Sequence, residues 1–134
     1  MLFRSRTFRF ACRVVTVCDQ LYLARGVAWP LASQLVRCGT SVPANLEEAR
    51  SAESRRDFVS KCSIALKEAR ESHLRLRVHV ECHIGPADET RALVKEADEI
   101  IAILVTILRN TKARQLLEAA AAATALAVLC WLAF

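Results

Sequence analysis

The residues best suited to metal chemistry are two histidines and a cysteine near position 80. His79 and His83 are four positions apart, and Cys82 adjoins His83. On a helix, this spacing can place both imidazoles on one face, where they could chelate a metal ion. A stable site needs further ligands, and neither an H-E-x-x-H nor a C-x-x-C sequence supplies them. We therefore predict no metal site and interpret the histidines as a helix-end pair favoured by the helix dipole.

The other candidates for catalysis are six cysteines, at positions 12, 18, 38, 62, 82 and 130. No neighbouring sequence marks one of them as a reactive nucleophile. The chain also lacks a glycine-rich phosphate loop, a G-x-S-x-G sequence and the paired Glu-x-x-His pattern of di-iron bundles. We predict that the protein is not an enzyme and needs no cofactor. Its cysteines are expected to be small buried hydrophobic residues in a reducing cytoplasm.

Basic residues are the candidates for binding a partner. Lys and Arg number 19 against 14 Asp and Glu, and all 19 lie in the first 114 residues, which carry a net charge of +6. Arginine suits phosphate oxygens, and each neutralised phosphate adds salt-dependent affinity. A solvated basic face is the alternative, because aromatic residues that would stack on bases make up only 6%. Two basic patches are predicted to contact nucleic acid: Arg9, Arg13, Arg50, Arg55, Arg56 and Lys61.

Helical periodicity predicts the elements that position these residues. Apolar residues recur at three- and four-residue spacing over about residues 6–26, 31–50, 55–84 and 88–111. Three glycines and three prolines leave too few turns for a β-sandwich. We predict an all-α fold, an antiparallel up-down four-helix bundle with a C-terminal hydrophobic helical tail. The wide apolar arc of the fourth helix indicates burial on a second side, against another subunit.

Local signals predict where helices begin and bend. Pro43 lies inside the second helix and predicts a kink, with the Thr40 and Ser41 hydroxyls available to the freed carbonyls. Ser54 and Asp88 are predicted to cap the third and fourth helices.

A row of polar residues follows one face of the second helix. Arg37, Ser41, Asn45 and Glu48 recur at spacings of four, four and three, and Glu71 can meet them from the third helix. A buried polar group costs about 1–3 kcal/mol unless it is paired. The row is therefore either solvent-facing or a satisfied network that fixes helix register, and we favour the network.

The same helix carries an unusual motif. Residues 33–49 read S-Q-L-V-R-C-G-T-S-V-P-A-N-L-E-E-A. This stretch resembles the signature of the bacterial four helix bundle proteins, also called the 23S rRNA intervening-sequence proteins. Residues 56–71 and 96–104 are similar to that family's third and fourth helices, so the resemblance covers about residues 8–112. Ala49 stands where the family has glycine, and Glu47 where it has a small apolar residue. The matching signature positions are Gln34, Leu35, Arg37, Ser41, Val42, Pro43, Asn45 and Glu48.

The resemblance implies a partner as well as a fold. Family members resemble homopentameric barrels, and relatives in diversity-generating retroelements are basic accessory proteins that bind RNA and a reverse transcriptase. It therefore implies a homo-oligomer, expected to be a pentamer, with RNA or a reverse transcriptase as a further partner. A five-fold ring would multiply the net charge of +5 into a strong positive field.

The C-terminal tail is not explained by this resemblance. Residues 119–134 contain no charged side chain, whereas Arg109, Lys112 and Arg114 precede them. A membrane span needs about 20 apolar residues, with basic residues on its cytoplasmic side. The alternatives are a membrane anchor, in which residues 116–134 contact lipid, an extension of the fourth helix buried in an oligomer, or a disordered tail. We divide the chain into a bundle (1–112) and a hydrophobic Ala-rich tail (113–134).

These observations predict a cytoplasmic, non-enzymatic, homo-oligomeric module that presents a basic surface to RNA or a nucleoprotein. The alternative function is a membrane-anchored interaction protein whose bundle is the cytoplasmic head. An Arg-rich, acid-free start is also typical of a transit peptide.

Overall fold

Four helices make up the described part of the chain, and they pack as the predicted all-α bundle. The computed structural model describes residues 2–132, so Met1 of the predicted bundle and Ala133 and Phe134 of the predicted tail lie outside the described residues. No strand occurs within residues 2–132. Each helix packs against its neighbours in the chain, and the first also packs against the fourth, which closes the bundle. The helices are α1 (Phe3–Asp19), α2 (Ala28–Arg50), α3 (Arg55–Glu81) and α4 (Ala87–Leu132).

The core lies along the apolar stripes that the periodicity predicts. Phe10, Leu35, Leu76 and Ile100 contribute one large buried side chain from each helix. The apolar face of α4 is wide because much of it packs inside the bundle. Val94 and Ile101, at its sides, are partly buried against the core. Val105 remains 38% exposed.

Three predicted helix ends are wrong by several residues. The fourth helix continues to Leu132 rather than ending near residue 111. The first helix ends at Asp19 rather than near residue 26, because the Leu21 and Ala24 N–H groups bond the third carbonyl before them and tighten the chain into turns. The third helix ends at Glu81 rather than Ile84. There the Ile84 N–H bonds the His79 carbonyl and the His83 N–H bonds the Val80 carbonyl, which is a Schellman ending with His83 in the left-handed conformation.

The remaining local signals have mixed outcomes. Ser54 caps α3, accepting a hydrogen bond from the Asp57 N–H at 3.1 Å. Asp88 does not precede α4 but lies in its first turn. The second helix begins at Ala28, before the predicted start, and passes through Pro43 as one continuous element.

The Thr40 and Ser41 hydroxyls donate hydrogen bonds to carbonyls other than the one that Pro43 leaves free. An N–H at Pro43 would have bonded the Gly39 carbonyl. The Thr40 and Ser41 hydroxyls instead donate to the Val36 and Arg37 carbonyls, both at 2.8 Å.

Candidate functional site

The C-terminal part of α4 extends beyond the bundle. Leu108 is the last buried residue of α4 within the described chain, and every residue from Leu116 to Leu132 is exposed. Helix α4 contains an 18-residue stretch with a mean hydropathy of 1.6, of which no part is buried. By length and composition, α4 is able to cross a membrane. A core helix of the same composition would be mostly buried. The exposure of this stretch of α4 therefore needs another explanation.

Charged side chains gather where this exposed segment leaves the bundle. Arg55, at the start of α3, forms an ion pair with Glu118 of α4, so the two helices meet immediately before the uncharged residues 119–132. At the same end, an apolar groove of about 520 Å³ is lined by Arg50, Phe58 and Ile107 among others. Arg4 of α1 also lines this groove. The exposed basic residues that α2, α3 and α4 contribute to this region are Arg50, Arg55, Arg56, Arg109, Lys112 and Arg114.

Three of the six residues predicted to contact nucleic acid are already paired with carboxylates. Arg13 Nε lies 2.6 Å from Glu89 Oε1. Lys61 pairs with Glu48, and Arg55 pairs with Glu118. Hydrogen bonding to Glu89 raises the pKa of Arg13, and hydrogen bonding to Glu48 raises the pKa of Lys61. These partners come from other helices, so sequence spacing gave no signal of them.

The other three predicted contacts lie at two places on the molecule. Arg9 is exposed on α1 and borders grooves towards both α2 and α4. Arg50 is the last residue of α2 and Arg56 the second residue of α3. Both are exposed, and within residues 2–132 neither forms an ion pair.

The arginines at the start of α1 form a second set of ion pairs. Arg6 Nε lies 2.5 Å from Glu96 Oε1, and the same guanidinium also bonds Glu99. Arg4 Nε lies 2.9 Å from Glu47 Oε1 on α2. The hydrogen bonds that Arg6 donates to Glu96 and Glu99 raise the pKa of Arg6, and the bond that Glu96 accepts from Arg6 lowers the pKa of Glu96. This cluster joins α1 to its neighbours and offsets much of the basic charge of α1.

The predicted polar network lies at the surface rather than inside the bundle. Arg37, Glu48 and Glu71 are exposed, and Ser41 and Asn45 are half-buried. Asn45 Nδ2 donates to the Ser41 carbonyl at 2.9 Å, so part of the row bonds its own backbone.

Polar contacts between α2 and α3 include one member of the predicted row, because Glu48 pairs with Lys61 of α3. Arg75 bonds both Glu71, at 2.6 Å, and Gln34 across the two helices. Water can solvate the exposed members of the row, so they need no closed network.

The histidine pair does not share a helix face. His79 is buried, with Nδ1 lying 2.8 Å from the Arg75 carbonyl, whereas His83 is exposed beyond the end of α3. The ring Nε2 of His79 has no hydrogen-bond partner within the described chain. No group of three or more potential metal ligands occurs among residues 2–132.

The cysteines are all free thiols. Cys18, Cys38 and Cys62 are buried, and burial raises the pKa of Cys18 to about 12. Burial also raises the pKa of Cys38 and of Cys62. A raised pKa disfavours the thiolate, so these three side chains are poor nucleophiles.

Comparison with known proteins identifies relatives but no activity. Residues 3–106 match the 23S rRNA-intervening sequence protein family. A crystal structure of a protein of unknown function from the S23 ribosomal protein family of Bacteroides thetaiotaomicron is 30% identical, with a TM-score of 0.72. The similarity covers 80% of this chain and 98% of that one. No curated protein matches the chain. The family match ends before the exposed segment of α4 begins.

Proposed function

The chain belongs to the 23S rRNA-intervening sequence protein family, and we propose that its bundle performs no chemistry. The solved relative has no known function. We further propose that the protein is anchored to a membrane by the part of α4 that the family match leaves out. The observation that carries this proposal is the exposure of that segment: an apolar stretch of mean hydropathy 1.6 has no part buried. Apolar surface of this extent is stable in lipid and costly in water.

The dimensions of the segment support insertion into a bilayer. The uncharged residues 119–132 would rise about 21 Å as a helix, so they would reach about two thirds of the way through a hydrocarbon core about 30 Å thick, with Glu118 at the headgroups. Trp131 is 79% exposed near the far end. Arg109, Lys112 and Arg114 precede the segment, so the positive-inside rule would place the bundle in the cytoplasm.

Flotation of the full chain with neutral phosphatidylcholine vesicles tests the anchor. We expect the protein to float and Leu126→Arg to lower its membrane partition coefficient about 100-fold, because an arginine near the centre of a span costs about 2.5–3.5 kcal/mol. The matched control is Leu74→Arg, which changes an exposed leucine on α3 and should leave flotation unchanged. A full chain that stays in the soluble fraction as an oligomer, and that Leu126→Arg dissociates, would show that the segment packs against other copies instead.

Nucleic-acid binding is a second candidate function, supported by Arg50 and Arg56, which are exposed and have no carboxylate partner within residues 2–132. Arg50 and Arg56 are the better test residues, because Arg55 is paired with Glu118. We expect Arg50→Glu/Arg56→Glu to abolish retention on RNA at moderate salt. The control Arg25→Glu/Arg77→Glu makes the same charge change at the other end of the bundle and should retain RNA. Equal retention by both variants would remove this candidate.

Self-association accompanies either function in our proposal, with a pentamer as the expected form. Phe8 and Val15, which are 62% and 42% exposed, lie seven residues apart on α1 and suit contact with a second copy. We expect light scattering to give a larger mass for the wild type than for Phe8→Glu/Val15→Glu. A monomeric wild type would exclude the pentamer.

A further inference from the structure

Positive charge is concentrated at the end of the bundle from which α4 emerges. We call the exposed basic residues that α2, α3 and α4 contribute to this end the basic collar. Three acids accompany them, Glu53, Asp57 and Glu118, so the collar region carries +3 of the chain's net +5. Elsewhere the cations of α1 face carboxylates, as in the Arg6–Glu96 pair. The collar comprises Arg50, Arg55, Arg56, Arg109, Lys112 and Arg114.

The collar lies at the depth where lipid headgroups would be. The ion pair between Arg55 and Glu118 fixes the start of α3 beside the last charged residue of α4. Arg114 and Lys112 precede Glu118 by four and six residues, which is about 6 and 9 Å along a helix. The headgroup region of one leaflet is about 5–8 Å thick. When residues 119–132 are inserted, Arg114 and Lys112 would therefore lie among the headgroups or just outside them, on the side of the bundle.

We propose that the basic collar binds the phosphates of anionic phospholipids in the leaflet that α4 enters. This inference rests on the proposed membrane anchor and adds the class of lipid. Guanidinium groups form paired hydrogen bonds with phosphate oxygens, and five of the six collar cations are arginines. Arg50 and Arg56 carry no ion pair within residues 2–132, so they are available to lipid without breaking a contact. The bundle would consequently stand on the membrane in one orientation, with its α2–α3 turn against the surface.

The test separates surface binding from insertion. The background is the full chain carrying Leu126→Asn/Leu129→Asn, which weakens insertion without changing charge. Binding is measured by flotation against phosphatidylcholine vesicles and against vesicles containing 30% phosphatidylglycerol. The collar variant adds Arg56→Gln/Lys112→Gln. The matched control adds Arg25→Gln/Arg77→Gln, which removes two exposed cations from the other end of the bundle.

We expect the background protein to prefer the phosphatidylglycerol vesicles and the collar variant to bind them about 30-fold more weakly, since each basic residue near the surface contributes about fivefold. The control should lose less than threefold. Equal losses of binding in the two variants, or no preference of the background protein for anionic vesicles, would overturn the inference. The proposed anchor would still stand in that case if the wild-type chain floats with neutral vesicles. Failure of the wild type to float would refute the anchor itself. A collar variant that loses RNA retention but binds anionic vesicles normally would show that the collar is a nucleic-acid surface and would overturn the lipid assignment.

Discussion

Gly39 offers the sharpest test of how α1 and α2 pack. A Cβ added at Gly39 would lie 2.8 Å from Val14 Cγ1 and 3.3 Å from the other two nearest side-chain atoms of Val14. Carbon atoms in good contact are about 3.5–4.0 Å apart. Val14 is fully buried and β-branched, so it has little freedom to rotate away. We therefore expect Gly39→Ala to destabilise the protein, although alanine is normally favoured inside a helix.

The two opposing effects set the size of the change. Alanine gains about 1 kcal/mol over glycine in helix propensity. Overpacking a core typically costs about 1–3 kcal/mol, and a gap of 2.8 Å to a rigid methyl group belongs in the middle of that range. The free energy of unfolding should consequently fall by about 1 kcal/mol. Urea denaturation followed by circular dichroism measures this change as a lower midpoint with an unchanged slope.

A double-mutant cycle identifies the cause. Val14→Ala removes the methyl groups that the new Cβ would meet, so Gly39→Ala should become neutral or stabilising in that background. The coupling between the two substitutions is expected to be about 1–2 kcal/mol. Val17→Ala is the matched control, because Val17 is also buried on α1 but is not among the atoms nearest to the added Cβ. A higher urea midpoint for Gly39→Ala alone, or additive effects with Val14→Ala, would refute the close approach of the two helices.

Three further predictions concern stability. Arg6 lowers the pKa of Glu96, so the ionised carboxylate stabilises the folded state. This stabilisation is complete above the ordinary pKa of 4.5 and is lost as the pH falls through the lowered pKa of the folded state. Glu96→Gln should therefore flatten the acid side of the pH–stability curve, and an unchanged curve would contradict the ion pair. Ser54→Ala should lower the free energy of unfolding by about 1 kcal/mol in urea titrations, through loss of the α3 cap; a change below about 0.3 kcal/mol would count against the cap. His79→Leu should change stability little, because the lost Nδ1 bond to the Arg75 carbonyl is offset by removal of the buried Nε2, which has no partner within residues 2–132; a melting temperature lowered by 8 °C or more would show that Nε2 has a partner.

The fold was predictable because its signals are local. Apolar spacing of three and four residues places Leu35 and Leu76 in the core, and Ser54 caps α3 as its sequence position predicts. Helix ends were less predictable. The Schellman ending at His83 depends on hydrogen bonds that a histidine pattern does not indicate.

The candidate site was only partly predictable. The sequence identified the basic residues and the uncharged tail, but it did not indicate which cations are neutralised. Arg13 and Glu89 are separated by 76 positions, and Arg55 and Glu118 by 63. Pairs so distant in the chain form only when helix packing brings them together. The position of these carboxylates therefore changed the interpretation of the basic surface, leaving Arg50 and Arg56 as its best contacts.

The sequence by itself determined four amphipathic helices and an apolar, uncharged segment after them, because periodicity and composition are properties of neighbouring residues. Only the tertiary structure decided that α4 is one continuous helix through Leu132 and that its last part packs against none of the other three. It also decided that the α2–α3 turn lies beside Glu118. Burial and ion pairing depend on which helices become neighbours in space, and the physical role of the tail follows from both.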